Sequence, residues 1–164
     1  MSRKRRSYEI GHKPKFLVVV DDTPECDRAI YFASRRCARI GGQVLMCRVI
    51  ATKDRNQQWL GVADIMRQEA QDEARTVLAQ AAARARSIAG ISAEQVIREG
   101  EVSEEILKLI EEDDDIALLI LAAGTGKEGP GPLVSALSKS AGTYPIPVAI
   151  VPGQLSDEEL DAMT

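Results

Sequence analysis

Short apolar segments that alternate with segments of helical period limit the fold more than any other feature of this sequence. Residues 16–20, 44–50, 116–123 and 148–151 are almost continuously apolar, and residues 95–98 form a weaker run. Such runs are typical of strands that are buried on both faces of a parallel sheet. The alternation predicts a three-layer αβα fold: a five-stranded parallel sheet in the order 3-2-1-4-5, with right-handed crossover helices on both faces.

Four helices are predicted between the strands. Thr23 is expected to cap the first helix and Pro24 to occupy its first position, with the helix ending near residue 40 before two glycines. A long helix is predicted over residues 62–89, a third over 104–112 with Ser103 as its cap, and a short fourth over 133–142. Residues 52–58 are predicted to form a loop, with Trp59 and Leu60 folded back over it.

Length and composition predict one domain. The chain has 164 residues, of which 45% are hydrophobic, which is enough for one core. We expect a basic disordered tail over residues 1–14, the domain over 15–152 and a C-terminal tail over 153–164. No run approaches the roughly 18–20 apolar residues of a membrane span, and the basic start precedes no apolar signal region. A cytoplasmic location is expected.

Charge is distributed unevenly along the chain. Residues 1–15 carry six Lys and Arg residues against the single acid Glu9, which gives this segment a charge of +5. Since the net charge of the chain is −4, the remaining residues carry −9. An acidic body argues against broad nucleic-acid binding. The basic segment has two interpretations: contact with a phosphate backbone or an acidic membrane surface, or, as we favour, a solvated leader.

Few residues have the chemistry of a catalytic or metal centre. The three cysteines lie at positions 26, 37 and 47 without a CxxC pair, and His12 is the only histidine, so neither a disulfide framework nor a zinc site is predicted. No activated nucleophile is apparent. We therefore do not expect an enzyme with a strong catalytic centre.

Two loops are candidates for a ligand site. In open α/β sheets, ligands bind beyond the carboxyl ends of the strands, where the strand order reverses, and here residues 21–24 and 124–132 occupy such positions. Residues 124–127, Gly-Thr-Gly-Lys, offer amides, a hydroxyl and a cation, and Ser135 lies at a helix start. The alternative is that residues 129–132, Gly-Pro-Gly-Pro, form an ordinary turn that caps a helix.

Three segments together resemble the universal stress protein family. They are residues 16–29, with an acid after strand 1; 98–107, with Gly-Glu-x4-Ile at a helix start; and 145–152, with Pro-Ile-Pro-Val leading into the last strand. The resemblance spans about residues 15–152. It implies an adenine nucleotide alpha hydrolase-like fold, an adenine nucleotide as ligand (ATP or AMP, with Mg²⁺ accompanying ATP) and a homodimer formed through the last strand.

The nucleotide-binding members of that family carry Gly-x2-Gly-x9-Gly-Ser/Thr, which this chain keeps imperfectly. Aligned back from Pro147, the final pair falls on Val134 and Ser135, the middle glycine on Gly124 and the first on Leu121. Aligned forward from strand 4, the first two places fall on Ala123 and Gly126. Either way, one or two of the family's glycines are replaced.

The resemblance also implies roles outside the glycine loop. Asp21 matches the family's acid near the adenosine, and Val49 the strand end whose backbone reads the base edge. Asp22 replaces a small residue, and its charge near phosphates would be costly unless a metal ion or Lys127 offset it. We expect Lys127 and Ser135 to lie closer to a phosphate than Arg48 or Arg98. The implied nucleotide site comprises Val20, Asp21, Asp22, Thr23, Val49, Ala123, Gly124, Thr125, Gly126, Lys127, Val134 and Ser135.

The expected function is a dimeric stress-response or sensing module that binds ATP or AMP, with at most weak ATP hydrolysis. The alternative is a family member that binds no nucleotide and acts through protein contacts. A remote alternative is a receiver-like domain, because Asp21 and Asp22 resemble its acidic pair. A receiver also needs an Asp after a later strand and a Lys after the last one, where this chain has Ala123 and Pro152.

The dimer is also expected from the last strand itself. Residues 148–151 are all apolar, and Pro147 and Pro152 bracket them, as expected of a short edge strand that pairs with a second chain. The alternative is that residues 154–164 cover this edge within one chain.

Overall fold

The computed structural model describes residues 4–51 and 60–164. The predictions for the loop over 52–58 and for the side chains of Trp59 and Leu60 lie outside the described residues. In chain order the elements are β1 Lys15–Val19, α1 Cys26–Ile40, β2 Gln43–Ala51, α2 Leu60–Ala89, β3 Ala93–Gly100, α3 Val102–Glu112, β4 Ile116–Ala123, α4 Pro132–Ser140, β5 Val148–Pro152 and α5 Asp157–Met163. A 3₁₀ turn, Ala141–Thr143, follows α4.

The five strands form one parallel sheet in the order β3-β2-β1-β4-β5, which confirms the predicted fold. β1 is central and pairs with β2 on one side and β4 on the other, with Leu17 opposite both Leu45 and Leu119. The strand order reverses between β1 and β4. The loops that follow these two strands therefore leave the same sheet edge, side by side.

Alternate residues of β1 enter two separate cores, which explains why the strand is apolar from Phe16 to Val19. Phe16 and Val18 pack in a core that includes residues of α1, α2 and α5. Leu17 and Val19 pack in the other core, with residues of α3 and α4. A strand buried on both faces needs apolar side chains in both directions.

Two predicted helix starts are corrected by the structure. α1 begins at Cys26 with Glu25 at its N-cap, because the amide and hydroxyl of Thr23 both donate to Asp21 Oδ1 and fold the segment into a turn. α3 is capped by Glu101 instead of Ser103, because the Glu101 carboxylate accepts from the amides of Ser103 and Glu104, at 3.2 and 2.8 Å.

The C-terminal segment contains a helix where a tail is predicted. Ser156 and Glu159 form a capping box at the start of α5, and Leu160 is fully buried against α1. Arg28 of α1 donates to the carbonyl of Leu155 at 2.9 Å and to Asp157 at 2.6 Å. These contacts hold α5 on the face of the sheet that α1 covers.

The described part of the N-terminal segment also makes contacts. The Arg5 guanidinium donates to three carbonyls, of Ile110, Asp113 and Ile116, where α3 ends and β4 begins. His12 Nδ1 lies 2.6 Å from Asp115 Oδ1. Arg5 and His12 therefore attach this segment to the domain, where a disordered tail is predicted. Within the described ranges, no helix combines the length and apolar character needed to cross a membrane.

Candidate functional site

A crevice lies at the sheet edge where β1 and β4 end. The loop after β1 carries Asp21 to Glu25, and the loop after β4 leads from Gly124 to the first turn of α4. The amide of Gly153, just after β5, donates to the Ala123 carbonyl at 2.9 Å and ties the third strand end to the same place. This is the position at which ligands bind in sheets of this topology.

The larger of two cavities in the crevice has a volume of about 300 Å³. It opens between the ends of β1 and β2 and the starts of α3 and α4. Its walls are mainly apolar, with a few polar side chains at the rim, which is typical of a small-molecule site. The residues that line it are Val19, Val20, Asp21, Arg48, Val49, Glu101, Val102, Ser103, Pro132, Leu133 and Ala136.

A smaller cavity of about 50 Å³ adjoins the larger one. It lies between the starts of α1 and α4 and is lined by Asp21, Thr23 and Glu25 on one side and by residues 130–134 on the other. Asp21 lines both cavities, as do Val19, Pro132 and Leu133.

Asp21 is held in one orientation by the turn that follows it. Its Oδ1 accepts from the backbone amide of Thr23 at 3.0 Å and from the Thr23 hydroxyl. Among the described residues, none donates a hydrogen bond to Asp21 Oδ2, and Asp21 is exposed. The carboxylate can thus accept a hydrogen bond from a ligand hydroxyl.

The counter-charge to Asp22 comes from Arg48. The Arg48 guanidinium lies 3.0 Å from Asp22 Oδ2 and donates to the Val20 carbonyl at 3.3 Å. From the sequence, a metal ion or Lys127 is expected to offset the charge of Asp22. In the structure, Lys127 is exposed and lines neither cavity. Arg48 is a site residue that sequence reasoning missed; its only signal is a charge inside the apolar run of β2.

The loop after β4 closes on itself. The amide of Gly124 donates to the carbonyl of Pro130 at 3.1 Å, and that of Gly129 donates to Gly126 at 3.2 Å. Ala123, Gly124, Thr125 and Gly126 line neither cavity; Ala122 lines the smaller one instead. The structure therefore does not aim these glycine amides into either cavity.

In the first turn of α4, Val134 and Ser135 differ in how they relate to the two cavities. Val134 is buried in the core beside α3 and lines the smaller cavity. Ser135 is exposed, lines neither cavity, and its amide donates to Gly131 at 3.0 Å within the helix. Of the predicted site residues, the structure brings together Val20, Asp21, Thr23, Val49 and Val134, and places Asp22 at the rim through Arg48.

Glu25 is the second site residue that sequence reasoning missed. Its carboxylate lies beside Gly124, such that a Cβ placed on that glycine would lie 3.2 Å from Glu25 Oε2. The two residues are far apart in sequence and meet only because β1 and β4 are neighbours. No local pattern in the sequence signals this contact.

Neither a reactive thiol nor a metal centre is found at the site. Burial raises the pKa of the Cys26 thiol to about 11, and its Sγ donates to the Val19 carbonyl at 3.6 Å. Over residues 4–51 and 60–164, no group of three or more His, Cys, Asp or Glu side chains has a geometry that would hold a metal ion.

Comparisons with known proteins agree on one family. The family model described as the universal stress protein family matches residues 14–152. The sequence has no significant match among curated proteins.

Solved structures of the same fold share little sequence with this chain. The universal stress protein UspA from Lactobacillus plantarum is 15% identical, with a TM-score of 0.71, over 84% of this chain and 97% of that one. A universal stress protein in complex with cAMP is 16% identical, with a TM-score of 0.60, over 86% and 98%. One from Arabidopsis thaliana with AMP bound is 19% identical, with a TM-score of 0.60, over 88% and 94%.

Proposed function

The chain belongs to the universal stress protein family, and from that premise we propose that it is a stress-response or sensing module that binds an adenine nucleotide in the larger cavity. The observation that carries this proposal is the cavity itself, at the end of β1, with apolar walls and the Asp21 carboxylate at its rim. An apolar slot suits the faces of a purine, and Asp21 Oδ2 suits a ribose hydroxyl.

The size of the cavity favours a mononucleotide. Ligand pockets are typically about 300 to 1,000 Å³, and about 300 Å³ lies at the lower end of that range. This volume suits one base and its sugar better than a dinucleotide. Two similar structures, described as complexes with cAMP and AMP, support a ligand of this size.

AMP-type ligands fit the described residues better than ATP with Mg²⁺ does. The larger cavity can hold the adenosine part of the ligand. The amides of Gly124 and Gly129, which could otherwise bind phosphates, already donate to carbonyls within the loop. In the alignment made back from Pro147, Val134 falls where the family motif has glycine, and it lines the smaller cavity. We therefore propose AMP or a close relative as the ligand.

A titration with AMP tests the proposal. We expect saturable binding by isothermal calorimetry and at least about tenfold weaker binding by Ala136→Trp, since that change fills the larger cavity from the exposed side of α4. Ser138→Trp, also exposed on α4 but outside the cavity, is the matched control and should bind as wild type does. Absence of AMP binding by the folded wild-type protein would favour the alternative, a family member that works through protein contacts.

We also propose that the module acts as a homodimer through β5 in the cytoplasm. Among the described residues, β5 pairs only with β4, and Ile150 on it is 48% exposed, which leaves an apolar edge for a second chain. The three cysteines are free and buried, in keeping with a reducing compartment. Light scattering tests the dimer, and cell fractionation tests the location.

A further inference from the structure

We propose that the carboxylate of Glu25 makes this site select adenine ligands of low phosphate charge, so that adenosine and cyclic AMP bind more tightly than AMP, and AMP more tightly than ATP. The inference rests on the proposed function, because it concerns the same crevice. It assigns a specificity role to a residue outside the glycine-loop motif.

Glu25 is fixed at the meeting point of three strand ends. It is the residue before α1, and its carbonyl accepts from the Arg28 amide at 2.9 Å. A Cβ on Gly124 would lie 3.2 Å from Glu25 Oε2, and one on Gly153 would lie 3.1 Å from Glu25 Cβ. The two glycines leave the space in which this side chain lies, so its carboxylate is held beside the loop after β4.

The smaller cavity has negative side chains and no positive ones. Asp21 and Glu25 line it, and among the described residues no Lys or Arg does. A phosphate that extends from a ribose at Asp21 toward the start of α4 enters this region. Arg48 lines the larger cavity, where it already faces Asp22, so it does not neutralise Glu25. Each negative charge on the ligand therefore meets repulsion at short range.

Several backbone donors that would offset this repulsion are engaged or missing, which leaves the amides of Leu133 and Val134 in the first turn of α4. The amides of Gly124, Gly129 and Ser135 donate to the carbonyls of Pro130, Gly126 and Gly131. α4 begins with Pro132, which has no N–H. The positive end of the helix therefore presents fewer donors than an ordinary helix start.

A series of ligands that differ only in phosphate charge tests the inference. Dissociation constants are measured with EDTA present for adenosine, cyclic AMP, AMP and ATP on the full-length protein. We expect the wild-type affinity to fall along the series, by about tenfold or more between AMP and ATP. Glu25→Gln should raise the affinity for ATP by about tenfold and leave that for adenosine unchanged.

Glu128→Gln is the matched control, because it removes the same charge from an exposed side chain of the loop after β4, at a residue that lines neither cavity. Equal gains in both variants would show a general effect of net charge and overturn the role of Glu25. Wild-type binding of ATP as tight as that of adenosine would overturn the inference and leave the proposed function standing. Because the comparison of ATP with adenosine uses only the wild-type protein, it tests the inference even if Glu25→Gln fails to fold. Binding of no adenine compound at all would instead overturn the proposed function, and the inference with it.

Discussion

The guanidinium of Arg48, near the end of β2, lies 3.0 Å from the carboxylate of Asp22 in the loop after β1. The same guanidinium donates to the Val20 carbonyl, while the Val20 amide donates to Cys47. The Arg48 side chain is only 14% exposed. One partly buried cation thus fixes the loop that carries Asp21 and Asp22 against the neighbouring strand.

Replacement of Arg48 should therefore destabilise the fold. We expect Arg48→Met to lower the free energy of unfolding by about 1–3 kcal/mol, because the change leaves a partly buried carbonyl without its donor. Arg75→Met removes an exposed arginine that pairs with Asp72 three residues away, and should cost less than about 1 kcal/mol. Urea unfolding of both variants measures the difference, and equal losses would contradict the structural role of Arg48.

A second prediction concerns the pH dependence of stability. Arg84 and Arg28 both donate to the carboxylate of Asp27, at 2.8 and 2.7 Å, and hold the pKa of this group below its ordinary value. A lowered pKa in the folded state stabilises the protein above the unfolded pKa of about 3.9, and this stabilisation is lost as the pH falls through the folded value. Asp27→Asn should therefore be less stable than wild type near neutral pH.

The difference in free energy of unfolding between wild type and Asp27→Asn should shrink as the pH falls below the ordinary pKa of an aspartate and through the lowered pKa of Asp27 in the folded state. Urea unfolding at a series of pH values gives this difference directly. Glu111→Gln, a matched change on the exposed side of α3, should show little difference from wild type at any pH. If the difference in free energy of unfolding between wild type and Asp27→Asn stayed constant down to low pH, the ion pairs with Arg84 and Arg28 would not contribute to stability.

The three thiols should be unreactive in the folded protein. Burial raises the pKa of Cys26 to about 11 and those of Cys37 and Cys47 to about 12, so the thiolate fraction near pH 8 is very small. A disulfide reagent that reports free thiols should react slowly with the native protein and rapidly, at all three positions, in denaturant. Rapid reaction of any thiol before unfolding would contradict this burial.

The dimer prediction depends on the exposed edge of the sheet. Ile150→Lys introduces a charge on β5 and should convert a dimer at micromolar concentration into a monomer, as measured by light scattering. Met163→Lys places the same charge on α5, at a side chain that is 58% exposed, and should leave the dimer intact. A monomeric wild type would reject the dimer outright.

The strands and their order were predictable because they follow from local pattern. A run such as residues 116–123 is apolar at each position, and the structure has a strand over the same residues. β3 was harder to predict, since only Val96 and Ile97 are apolar in the predicted strand over residues 95–98, whereas its pairing with β2 extends from Ala93 to Gly100. Helix α5 has a local signal in the sequence, because Ser156 and Glu159 have the spacing of a capping box.

The site was less predictable because it depends on contacts between distant segments. Asp21 and Val49 lie at strand ends, and topology alone places them at the crevice. Arg48 is positioned by Asp22, and Glu25 lies beside Gly124. In each pair the two residues belong to different strands or loops. The closure of the loop after β4 by hydrogen bonds among its own residues likewise cannot be read from its glycine spacing.

A structure of the protein saturated with AMP would show directly whether the crevice binds the nucleotide. We expect the adenine in the larger cavity, between Val49, Val102 and Leu133, with a ribose hydroxyl within hydrogen-bond distance of Asp21. AMP bound anywhere else, or an empty crevice in protein saturated with AMP, would contradict this expectation.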